Sequence, residues 1–170
     1  MNADIARGAA RRLHGRQLGR SGEPLIEHVE RVARAVPLEA RALAYLHDVL
    51  EHAGRAGEEL HELGLSEEEV AVIVLLTRAQ DESYRVYVMR IARADGRAGR
   101  IARTIKLADL DDHLRHRRGR AGAPNYAWAR QQVTAAQAAH GEVPAAEDAS
   151  RNAREHAPWL TPAGGLRRVG

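Results

Sequence analysis

Apolar residues along this chain recur three and four positions apart, and no stretch alternates apolar with polar. That spacing belongs to helices with one buried face and not to half-buried strands. The expected fold class is therefore all-α, a bundle of about seven to nine helices. The breaks are read from glycine, proline and capping residues. A basic helix is expected over Ile5–Leu18, broken by Gly19–Gly22, with Pro24 suited to the next first turn. Leu25–Ala35 forms the second helix. Pro37 opens a third, expected to run unbroken through Leu43, Leu46 and Leu50 to near Gly54. A short helix over Glu58–Leu63 stops at Gly64. Ser66 and Glu69 form a capping-box signature ahead of Val70–Leu76. Helices over Ser83–Ala94, Arg97–His116 and Asn125–Ala139 follow, with a loop at Gly119–Pro124. Residues 1–140 make one domain in this reading. Residues 141–170 are a Pro/Ala/Gly-rich, partly flexible extension.

Composition removes several classes of function. With 44% apolar and 29% charged residues, the chain is no disordered polymer. No apolar run approaches the ~18 residues of a membrane span, and Met1–Arg20 has no apolar signal region. A cytoplasmic protein with no membrane partner is expected. There is no cysteine, which excludes disulfides, a thiol nucleophile and cysteine-bound zinc or iron–sulfur clusters. The net charge of +3 comes from interleaved signs, so a nucleic-acid partner is not expected. The arginines at 97, 100, 103 and 115–120 read as a solvated face. Lys106 is the only lysine.

The chemistry centres on His47-Asp48, which interrupts the apolar run Ala42–Leu50. A carboxylate taken out of water needs a compensating partner, and a metal ion is one. His28 on the preceding helix and Asp109 on the later one are the residues that can complete such a site. Two imidazoles and two carboxylates suit a borderline divalent cation such as Mn, Fe, Co or Zn, with positions left for water and substrate. Glu51 follows His47 by four residues and Asp48 by three, so an unbroken helix puts it on their face. A carboxylate there is placed to serve as a general base without being a ligand. Taken singly, each of these residues has an ordinary structural reading. The set, in its order, carries the inference.

The order His28 … His47-Asp48 … Asp109 resembles the HD-domain superfamily of metal-dependent phosphohydrolases. Ser21-Gly22-Glu23-Pro24-Leu25-Ile26-Glu27-His28 is similar to the first motif of the RelA/SpoT-type guanosine polyphosphate hydrolases. Leu46-His47-Asp48-Val49-Leu50-Glu51 resembles the central motif and Lys106-Leu107-Ala108-Asp109-Leu110 the third. His14-Gly15-Arg16-Gln17 looks like a loose form of an upstream segment. Leu76-Thr77-Arg78 and Tyr84-x-x-Tyr87 look like the small stand-alone members, such as the metazoan SpoT homologue. The likeness covers residues 6–116.

The resemblance implies an HD-type helical bundle and metal ligation by His28, His47, Asp48 and Asp109, with manganese the usual ion. It implies hydrolysis of the 3′-pyrophosphate of (p)ppGpp, with Glu51 and the residue after it activating water. Arg20, Ser21, Arg78, Lys106 and His113 become the residues expected to hold the phosphorylated nucleotide. Four positions depart from the family. His52 replaces the second acid of a Glu-Asp pair, Gly19 an arginine, Leu25 an aromatic residue and His113 an asparagine. These departures keep two other readings in view: an HD-type nucleotidase or phosphatase of another nucleotide or cofactor phosphate, and a non-catalytic metal and nucleotide sensor. Tyr126 and Trp128 are candidate walls for a base, or core aromatics.

Overall fold

The computed structural model describes residues 1–19, 22–53, 57–116 and 123–142. Among these residues the chain is an all-α bundle. Its elements are α1 (Ala3–His14), α2 (Leu25–Ala35), α3 (Leu38–Leu46), α4 (Val49–Ala53), α5 (Gly57–Glu62), α6 (Glu67–Leu76), α7 (Tyr84–Arg93), α8 (Gly96–His116) and α9 (Ala123–Ala139). No helix among the described residues is long and apolar enough to cross a membrane. The expected extension over 141–170 lies, beyond residue 142, outside the described residues.

Most helix starts follow their local chemistry. The Ser66 hydroxyl accepts a hydrogen bond from the Glu69 amide while the Glu69 carboxylate accepts one from the Ser66 amide, completing the capping box. Ser83 caps α7 through the Val86 amide, and Asn2 caps α1 through the Asp4 amide. α1 ends at His14, four residues before the expected Leu18. There the chain turns back: the Leu25 amide donates to Gln17 O at 2.9 Å and the Gly19 amide to Glu23 O at 2.8 Å. This tight return at Gly22 needs a positive φ of 83°, which glycine adopts without strain.

The expected third helix is broken in two. α3 stops at Leu46, His47-Asp48 forms a turn, and α4 restarts at Val49. The His47 ring supplies the reason. Its Nδ1 lies 2.7 Å from the carbonyl oxygen of Ala44, an acceptor at the very end of α3. Side-chain capture of a nearby carbonyl competes with continuation of the backbone ladder.

α8 is the spine. Its 21 residues span about 30 Å, and it packs against α2, α3, α6, α7 and α9. Ile101, Ala102, Ile105 and Leu110 are buried along it, among Val29, Val32, Leu43, Leu46, Ile73, Ile91 and Val133 of its neighbours. The arginine face expected on this helix is only partly solvated. Arg97 and Arg100 pair with Glu68 and Glu39, but Arg103 is fully buried. Its guanidinium closes the end of α7 by donating to the carbonyls of Ala92 and Ala94, and it pairs with Glu142. A Cβ built on Gly99 would come 2.1 Å from the oxygen of Ala94, the carbonyl Arg103 holds. Gly99→Ala must push that carbonyl away. We expect a loss of about 1–3 kcal/mol in stability, read as a lower urea midpoint with an unchanged m-value.

Candidate metal centre

Three elements carry the donors. α2 brings His28, the turn after α3 brings His47 and Asp48, and α8 brings Asp109 and His113. His28, His47 and Asp109 are each only 4% exposed, so their polar atoms must find partners inside the protein. The interhelical packing brings them together. His28 Nε2 lies 3.3 Å from Asp109 Oδ1 and 4.0 Å from Asp48 Oδ2. His47 Nε2 lies 3.3 Å from Asp48 Oδ1. The donor atoms of His28, His47 and Asp48 fall within 4.8 Å of one another, as do those of His28, Asp109 and His113. Buried His and Asp groups of this kind can hold a metal ion.

The fit is tested by the imidazole nitrogens. In each ring one nitrogen is committed. His28 Nδ1 sits 2.8 Å from Asp112 Oδ2, and His47 Nδ1 sits 2.7 Å from Ala44 O. The other nitrogen, Nε2 of both rings, is buried with no hydrogen-bond partner. Two orphaned imidazole nitrogens facing carboxylates are costly as they stand. They match what a cation needs: the second nitrogen fixes the tautomer and leaves the Nε2 lone pair for the ion.

Electrostatics agree with a site built for positive charge. Burial by itself lowers the pKa of His28. The hydrogen bond to Asp112, the close approach of Asp109 and the charge of Asp48 outweigh it and push the pKa up to about 10. A ring that is protonated in the absence of an ion gives up its Nε2 proton when one binds. Asp109 is also buried, which would raise its pKa, but Lys106 and His113 hold it well below the usual carboxylate range. Asp112, paired to His28 and to Arg31, is lowered despite burial.

The remaining expected residues fall in different places. Glu51 lies in α4 and is exposed. Because the helix breaks at His47-Asp48, the shared face expected from an unbroken helix no longer follows for it. His52 is also in α4, and its side chain lies outside the described residues, as do Arg20 and Ser21. Lys106 is buried and not a surface lysine. Its Nζ bonds Asp109 Oδ2 at 2.6 Å and lies 5.0 Å from the centre of the Tyr87 ring. Arg78 is exposed just beyond α6 and, among the described residues, makes no hydrogen bond or ion pair with the cluster. His113 belongs to the cluster itself, with Nε2 3.1 Å from Asp109 Oδ1. Tyr126 stacks on His113. Trp128 is half-buried, with the guanidinium of Arg85 4.6 Å over its ring.

Sequence reasoning missed Asp112 and Arg31. Asp112 is three residues after Asp109, one turn along the same face of α8, and that spacing was the available signal. Arg31 donates to both oxygens of Asp112, at 2.7 and 3.0 Å, and to Glu23 at 2.9 Å. It ties the loop before α2 to the carboxylate that orients His28. No protein-family model matches the chain, and a search of curated proteins finds no match.

Asp112→Ala removes the group that sets the His28 tautomer. We expect divalent-metal affinity to fall about 10- to 100-fold, measured by titration calorimetry, with the far-UV spectrum unchanged. Asp48→Ala should lose more, because it deletes a donor.

Proposed function

We propose that this chain is a divalent-metal-dependent phosphohydrolase of the HD type, acting on a phosphorylated nucleotide, with (p)ppGpp the leading substrate. The observation that carries the reading is the pair of buried, unpartnered Nε2 atoms on His28 and His47, set against Asp48 and Asp109. His28, His47, Asp48 and Asp109 would hold the ion. A bound divalent cation supplies Lewis acidity, which makes water easier to deprotonate and neutralises charge on phosphoryl oxygens.

The chain's own residues supply the rest. Glu51, exposed one turn into α4, is the proton acceptor for the attacking water. Its exposure leaves the carboxylate in contact with solvent, as a group that hands protons on must be. Lys106 keeps Asp109 ionised and aims its second oxygen at the two imidazoles. Asp112 and Arg31 keep His28 in one orientation. Arg20 is the first candidate for the leaving-group and phosphate contacts that a cationic side chain makes.

The test is pyrophosphate release from ppGpp by manganese-loaded protein, with Asp48→Ala as the control. Release by the wild type alone supports the reading. No release from folded, metal-bound protein rejects this substrate and turns attention to other phosphorylated nucleotides and cofactors. Glu51→Gln is expected to keep the metal and lose about 100- to 10,000-fold in kcat. Loss of the metal as well would make Glu51 a ligand.

A further inference from the structure

His113 is held more firmly than a substrate contact requires. Its ring stacks on His28 on one side, with centroids 4.8 Å apart and planes 16° apart. It stacks on Tyr126 on the other, at 4.8 Å and 14°. This clamp fixes the ring plane, and the fixed plane brings Nε2 to 3.1 Å from Asp109 Oδ1. That is the same oxygen that lies 3.3 Å from His28 Nε2. The second oxygen of Asp109 is already taken by Lys106 at 2.6 Å. Oδ1 is therefore the oxygen Asp109 offers to the site, and two imidazole nitrogens flank it.

His28 belongs to both donor groups, one with His47 and Asp48 and one with Asp109 and His113. The two groups meet at His28, and together they count five protein donors. We propose that His113 is a fifth protein ligand of this centre, and that the centre consequently prefers nitrogen-loving divalent cations (cobalt, zinc, ferrous iron) over manganese. The proposal rests on the metal-centre reading above and deepens it.

The chemistry follows from the donor set. Three imidazoles and two carboxylates balance the charge of a divalent ion. Affinity at nitrogen-rich sites rises from manganese through iron to cobalt, and imidazole suits iron and zinc, whereas manganese favours oxygen donors. Five protein donors on a six-coordinate ion leave one exchangeable position. Four would leave two.

The closing experiment is Co(II) binding to metal-free full-length protein, followed by calorimetry and by the visible absorption of the bound ion, with Mn(II) in parallel. Two variants separate a ligand from a packing residue or a hydrogen-bond donor. His113→Phe keeps an aromatic ring between His28 and Tyr126 but has no nitrogen. His113→Asn keeps an amide donor for Asp109 and is a poor ligand for cobalt. Far-UV spectra and melting curves report whether each variant is folded. We expect the wild type to bind Co(II) more tightly than Mn(II). Both variants should lose at least about tenfold in Co(II) affinity and change its visible spectrum, with a smaller loss for Mn(II). Wild-type Co(II) affinity and spectrum in His113→Asn would overturn the proposal and make His113 a donor to Asp109. The same result in His113→Phe would overturn it and make the ring a packing element. If the wild type binds no divalent ion, or binds it equally well after Asp48→Ala, the metal-centre reading itself fails, and this inference with it.

Discussion

The carboxylate of Asp109 sits in the interior of the bundle, and its ionisation there constrains the rest of the molecule. Moving such a group out of water costs several kcal/mol even after relaxation, on the order of 20 kcal/mol in the idealised limit. It stays charged because Lys106, His28 and His113 converge on its two oxygens. Each of those partners must in turn be placed. Lys106 and His113 lie on α8 with Asp109, three residues before and four after. His28 comes from α2, and its own ring is held by Asp112, again from α8. The α2–α8 contact is therefore a polar contact with a fixed register, embedded in an apolar one that is more permissive. Sliding α8 along α2 by one turn would take Asp112 away from His28 and Arg31, and Asp109 away from His28. The apolar residues would merely exchange neighbours.

The same constraint explains why the centre is layered. An inner set of nitrogens and oxygens forms two groups that share His28. An outer set fixes the inner one: Asp112 and Ala44 O take the far nitrogens of His28 and His47, and Lys106 takes the far oxygen of Asp109. Arg31 then secures Asp112 and reaches Glu23 in the segment before α2. Donors held this way lose little freedom when an ion enters, and preorganisation of that kind favours tight binding. A histidine kept only for packing would not need an inward nitrogen left without a partner.

Much of this was legible in the sequence, and the parts that were not share a cause. The helical class, the Ser66–Glu69 cap and the candidates His28, His47, Asp48 and Asp109 follow from local pattern and from an acid and a histidine inside an apolar run. The break after Leu46 was not legible, because it arises from the His47 ring reaching back to Ala44 and not from any glycine or proline. The burial of Lys106 and Arg103 was hidden for a related reason. A long cationic side chain reads as solvated until an interior carboxylate or a helix end needs it. Asp112 and His113 share a face with Asp109, but their roles depend on His28 and Tyr126, which lie far away along the chain.

In the proposed reaction, the break at His47-Asp48 also divides the labour at the site. In an unbroken helix, Asp48 and Glu51 would continue one buried face, and a second carboxylate would have to be desolvated beside the first. Restarting the helix at Val49 lets Asp48 remain at the edge of the donor cluster while Glu51 stands in solvent. Under the proposed function, buried donors hold the positive charge, and an exposed carboxylate three residues after Asp48 accepts a proton and releases it to water. The two tasks have opposite solvent requirements. A turn between them satisfies both within five residues of sequence, from His47 to Glu51.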